Sequence, residues 1–181
     1  MQSIIRKFMF TLMALICVGG VWAQPSAPAM PEAVINLNKF NGSWEARISS
    51  VMEDKSYDFD YTVKCTPIAG GNGAYWEESG VHPAFGEMHA SDLFGYDRND
   101  GKLHCYTVDN MGATHNQICE WKSPDHLSVV YNGTENGKQV IQKMDLTFKG
   151  DDLLDFTMSG TQDGKQQWSG TGTFHKIDET K

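Results

Sequence analysis

Positive charge is in short supply: the 181 residues hold 15 Lys and Arg against 23 Asp and Glu, a formal net charge of −8. A nucleic-acid face needs clustered bases, so polyanion partners are excluded. No apolar run reaches the roughly 20 residues of a membrane span; the longest, Phe8 to Val18, closes in Gly19-Gly20. The pattern C-x-x-C is missing, which removes a zinc ribbon, and the six histidines (82, 89, 104, 115, 126 and 175) show no ligand spacing. No metal site is expected. A Gly-rich phosphate loop, a nucleophile elbow and a basic aromatic stripe are also lacking, and no cofactor is expected. Helical periodicity is confined to Glu32 to Phe40, room for one turn that could cap the end of a larger body.

The N-terminus reads as a removable targeting segment. Arg6 and Lys7 precede Phe8, Met9, Phe10, Leu12, Met13, Leu15 and Ile16, and the stretch ends in Val21-Trp22-Ala23, so a signal peptide over 1–23 is expected. Cys17 follows the bulky Ile16, unlike the small residue that precedes a lipidated cysteine. Pro25, Pro28 and Pro31 make 24–35 an extended spacer, and the folded domain is expected over 36–177. This organisation implies a secreted or periplasmic protein with no integral membrane segment after processing, working as a monomer.

What the mature chain has in abundance is two-residue alternation. Tyr57, Phe59, Tyr61, Val63 and Cys65 interleave with Asp58, Asp60, Thr62 and Lys64, the signature of a half-buried strand. The same rhythm runs through 44–52, 74–81, 88–96, 103–109, 115–121, 127–131, 140–148, 153–159 and 168–176, about ten strands in all. Gly70-Gly71-Asn72-Gly73, Asn99-Asp100-Gly101, Asn132-Gly133, Asn136-Gly137, Gly150-Asp151 and Asp163-Gly164 punctuate them, and Asn136-Gly137 has the composition of a two-residue hairpin turn. Short connections demand antiparallel neighbours, and closure removes two exposed edges. The expected fold is an all-β, antiparallel up-and-down barrel of about ten strands, with a two-sheet sandwich as the rival.

Phe40-Asn41-Gly42-Ser43-Trp44 opens the first strand, and Gly-x-Trp at that place resembles the start of lipocalins and fatty-acid-binding proteins. Together with Gly95-Tyr96-Asp97, Gly101-Lys102 and Val108-Asp109-Asn110-Met111-Gly112 it is similar to a secreted bacterial family, domain of unknown function 1579, over Leu37 to about Lys176. The resemblance implies a lipocalin-like barrel and no particular substrate. Trp44 itself reads as a plug that closes the base of the barrel.

A barrel of ten strands is too wide for side chains to fill, so a small, mostly apolar ligand is expected inside. Candidate lining residues are Tyr57, Phe59, Tyr61, Met88, Phe94, Tyr96, Met144 and Phe156. If the hairpin turns about Met111-Gly112-Ala113, opposed residue numbers sum to 224, setting Asp109 against His115 and Cys105 against Cys119. The first pair, with Met111, could contact ligand at the barrel mouth or support a hydrolase or isomerase, because an Asp beside a His orients and activates it. The second pair predicts a disulfide that leaves Cys65 free. A ten-strand haem barrel of the nitrobindin type is similar in design and takes one His near its end as axial ligand, which here would be His175.

Overall fold

The computed structural model describes residues 29–178; the segment expected to be a signal peptide, Cys17 and most of the proline-rich stretch lie outside them. Ten antiparallel strands follow one another around a closed barrel: β1 (Gly42–Met52), β2 (Lys55–Ile68), β3 (Gly73–His82), β4 (Gly86–Asp97), β5 (Lys102–Asp109), β6 (Thr114–Ser123), β7 (His126–Glu135), β8 (Lys138–Phe148), β9 (Leu153–Gln162) and β10 (Lys165–Ile177). Each strand pairs with its sequence neighbours, and β10 returns to β1 with Trp44 opposite Lys176 and Met52 opposite Trp168. The up-and-down barrel is therefore as the alternation predicts, and the sandwich is not formed. Asn132-Gly133 does not turn but continues β7, where Gly133 leaves room for the Tyr131 ring.

Three connections at one end are two-residue turns with both residues left-handed. Asn136-Gly137 (φ 51° and 79°) and Asp163-Gly164 (50° and 76°) are the turns their composition announces. Glu53-Asp54 (48° and 62°) adopts the same conformation without a glycine.

The opposite end is closed by α1 (Glu32–Leu37) and the 3-10 turn Asn38–Phe40. A six-residue helix has no stability of its own, so it is held by what it buries. Val34, Leu37 and Phe40 are almost wholly enclosed, Phe40 lying between Trp76 (4.8 Å between rings) and Phe148 (4.7 Å). The Trp44 indole donates to the Phe40 carbonyl at 2.7 Å, and the Trp121 indole to the Ala33 carbonyl at 3.0 Å. Lys39 adds an ion pair to Asp125 at 2.6 Å. Trp44 is the base plug it was expected to be. The turn expected over 32–40 is formed, and buried Val34 makes its first residues part of the closed end of the barrel.

One register departs from expectation, and two inferences depart with it. Across β5 and β6, Leu103 faces Cys119, Cys105 faces Gln117 and Thr107 faces His115, so opposed numbers sum to 222 rather than 224. The cause is the turn: the Asp109 carboxylate accepts from the backbone N–H of Met111 (2.9 Å) and of Ala113 (2.8 Å), while Asp109 N–H donates to the Ala113 carbonyl. That local capture puts Ala113 opposite Asp109. A slip of two residues keeps every side chain on its expected face but changes its partner. Cys105 and Cys119 are therefore diagonal, not opposed, and both are free, buried thiols, as is Cys65. Burial pushes all three thiols well above their ordinary range, with the carboxylate of Asp92 adding to the effect.

Candidate functional site

Between the aromatic floor and the turns at the far end the barrel is hollow. The cavity measures about 460 Å³, within the range of small-molecule sites, roughly 300–1,000 Å³. Eight of the expected residues line it: Phe59, Tyr61, Met88, Asp109, Met111, His115, Met144 and Phe156. Three do not. Phe94 is sealed beneath the cavity, its ring 4.3 Å from that of Trp76, and belongs to the floor. Tyr96 continues the same face past the floor, into a shallow groove beside Glu32 and Ala33 of α1. Tyr57 stands outside the lining at the open end, its ring 4.9 Å from His82. The alternation gave all three the right face; only the height of the floor and of the rim excludes them.

Alternation also places polar groups on the inner face that sequence reasoning passed over. Glu78 falls in phase with Trp76 on β3, and Asp92 in phase with Phe94 on β4; that shared phase was the available signal. In the β3–β4 register Trp76 faces Asp92 and Glu78 faces Ala90, so the two acids are diagonal neighbours. Their carboxyl groups are near enough that each shifts the other's titration. Tyr61 Oη donates to Glu78 Oε2 at 2.7 Å, Thr107 Oγ1 donates to Asp92 Oδ1, and Gln117 Nε2 donates to Thr107 Oγ1 at 2.6 Å. Tyr61 reaches Glu78 because its cross-strand partner is Gly80, where a Cβ would lie 2.5 Å from the tyrosine ring.

Desolvation dominates the electrostatics of this network. It raises Glu78 well above the usual carboxylate range, with the neighbouring Asp92 charge next in importance, and it raises Asp92 as well, against the opposing hydrogen bonds from Glu78 and Thr107. Tyr61 is raised by burial and then by Glu78. Asp92 is only 4% exposed, and the surface Glu78 retains faces the cavity.

The rim carries the histidines. His82 Nδ1 accepts from the Ala84 backbone N–H at 3.1 Å, which fixes the neutral ring with its proton on Nε2, 3.2 Å from Ser50 Oγ. Its ring stacks on Phe85 at 4.5 Å, and burial lowers its pKa. His115 is claimed by Glu135, Nε2 to Oε1 at 3.1 Å, and lies 4.1 Å from the Tyr131 ring.

This geometry corrects two expectations. Asp109 and His115 do not form a catalytic pair, since Asp109 is spent on its own turn and His115 on Glu135. His175 sits on the outer face of β10, exposed and opposite Glu45, so it cannot reach a ligand in the interior. Outside the barrel, Asp97, Asp100 and His104 bring ligand atoms within 4.8 Å of one another. Their hydrogen bonds serve the β4–β5 turn: Asp97 accepts from Asn99 N–H, Asp100 from Lys102 N–H, and His104 Nε2 meets Asp100 Oδ2 at 2.8 Å. The contact with Asp100 raises His104, and that with His104 lowers Asp100.

The fold and its hollow core define a closed ten-strand antiparallel barrel with an internal cavity. The S-type phycobiliprotein lyase from Guillardia theta shares the fold, with a TM-score of 0.53 at 11% identity over 80% of this chain and 92% of that one. At that identity the likeness concerns the fold alone. No family model matches the chain, and no curated protein matches it in sequence.

Proposed function

We propose that this protein is an exported binding barrel, secreted or periplasmic, that holds one small, mostly apolar molecule in its interior as a single chain. The observation that carries the reading is the cavity itself: ten strands enclose about 460 Å³ walled by Phe59, Met88, Met144, Phe156, Met158 and Trp168, which a folded chain with no guest to accommodate would fill. Methionines suit such a wall, because a flexible thioether adapts to the shape of a guest. The barrel shared with a phycobiliprotein lyase supports the scaffold. Export rests on the leader at 1–23, and membership of the 1579 family on the residues from Phe40 to Gly112 that resemble it.

The test is a thermal-shift screen of the purified protein against a library of hydrophobic compounds, with mass spectrometry of an organic extract. Stabilisation by a subset of apolar compounds, or a co-purified molecule, is the expected outcome. A silent library and an empty extract would overturn the reading.

A further inference from the structure

Glu78 and Asp92 are unusual occupants of a wall that the fold could complete without them. Two buried carboxyl groups at diagonal positions on one cavity wall repel each other when both are ionised, so the pair keeps a proton in preference to a second negative charge. Tyr61 and Thr107 each donate to one member, which favours keeping the first. Among the described residues no lysine or arginine lines the cavity; its other acids are Asp109 and Glu135, and its bases are His82, His89 and His115 at the rim.

An independent observation lies beside the pair. Trp76, directly opposite Asp92 in the strand register and lining the same cavity, is 3% exposed, and its indole N–H has no hydrogen-bond partner among the described residues. A buried donor left unpaired is costly, and a guest molecule is the available source of an acceptor.

We propose that the Glu78–Asp92 pair anchors a basic nitrogen, so that the natural ligand is an apolar molecule ending in an amine or amidine, with an oxygen acceptor close to that nitrogen for the Trp76 N–H. The protonated nitrogen donates to the carboxyl pair in a low-dielectric wall, where a charge-assisted hydrogen bond is strong. The apolar remainder of the molecule fills the space between Phe59, Met144 and Phe156. This inference rests on the cavity being a ligand site.

The experiment compares naphthylmethylamine with the neutral isostere naphthylmethanol by calorimetry, on wild type and on the double variant Glu78→Gln, Asp92→Asn. In wild type the amine binds more tightly by about tenfold or more, the scale expected of a desolvated charge-assisted contact, and in the double variant the ratio falls to near one. A ratio near one in wild type, or a preference that survives the double substitution, overturns the inference while leaving the cavity reading intact if the alcohol binds. Failure of both probes overturns the inference, and the hydrophobic library decides separately whether the cavity reading falls with it. Should the double variant not fold, the single variant Asp92→Asn serves in its place, and there too the preference for the amine should fall. A hydroxyl beside the nitrogen, as in the corresponding naphthyl amino alcohol, tightens binding to wild type but not to Trp76→Phe; an equal gain in both rules out the role of the indole.

Discussion

Glu78 and Asp92 stand on adjacent strands, diagonal to one another across the β3–β4 ladder, both lining the cavity of an aromatic barrel. Such an arrangement costs stability in proportion to how far it holds protons that the unfolded chain would release. The consequences can be measured.

Burial raises both acids in the folded state, whereas in the unfolded chain they titrate near their ordinary values, about 3.9 for Asp and 4.3 for Glu. A group raised by folding contributes stability that is fully present below its unfolded pKa and lost as pH rises through its folded one. Asp92→Asn replaces the protonated form with a neutral amide and escapes that loss. Its melting temperature relative to wild type should therefore climb from about pH 4 to pH 8. A difference that stays constant across that range would refute the paired-carboxyl account.

His82 works in the opposite sense. Folding lowers its pKa through burial, and its Nδ1 must stay unprotonated to accept from Ala84. Its contribution is present above the unfolded value, about 6.5, and is lost as pH falls through the lowered folded value. His82→Asn keeps an acceptor near Nδ1 but cannot be protonated. The variant should start from a lower melting temperature, having lost the stacked ring, yet lose less on acidification from about pH 7 to pH 5. Equal acid sensitivity in the two proteins would show that His82 does not titrate in this way.

Asp109 organises its turn and does not serve His115. Asp109→Ala removes two carboxylate-to-backbone bonds and should cost about 1–2 kcal/mol. His115→Ala should add to that cost independently, with a coupling below about 0.5 kcal/mol in a denaturant double-mutant cycle. Strong coupling would reinstate the dyad that the register removes.

The three thiols of the barrel are enclosed and free. In native buffer a thiol reagent should therefore react with them slowly, and rapidly only after denaturant is added, while a reductant leaves the melting temperature unchanged. A drop in melting temperature on reduction would establish a disulfide between Cys105 and Cys119 after all.

At the β1–β2 turn two non-glycine residues occupy the left-handed region, Glu53 at φ 48° and Asp54 at 62°. Asp54→Gly relieves the second of them and should stabilise the protein by about 1 kcal/mol, a rise of roughly 2–4 °C for a domain of this size. Destabilisation instead would mean that Asp54 makes a contact worth more than its strain.

The sequence alone determined the architecture. A two-residue rhythm repeated ten times, with turn-forming residues between, leaves a meander of antiparallel strands whose edges are satisfied by closing on each other, and Gly-x-Trp fixes which end is plugged. Phase along a strand is a local property, so the residues sharing a face were legible, and the structure shows that the face of Phe59, Tyr61, Met88, Met144 and Phe156 is the inner one. Phase could have marked Glu78 and Asp92 too, had acids in step with Trp76 and Phe94 been read as interior rather than as solvent-facing. What only the tertiary structure decided was distance along and between strands. The depth of the floor separates Phe94 and Tyr96 from the cavity, and one aspartate closing on two amide groups shifts a hairpin by two residues. Two acids become one buried pair because diagonal neighbours on adjacent strands face the same cavity. These are relations between elements remote in sequence or set by competing turn geometries, and a one-dimensional pattern carries no term for either.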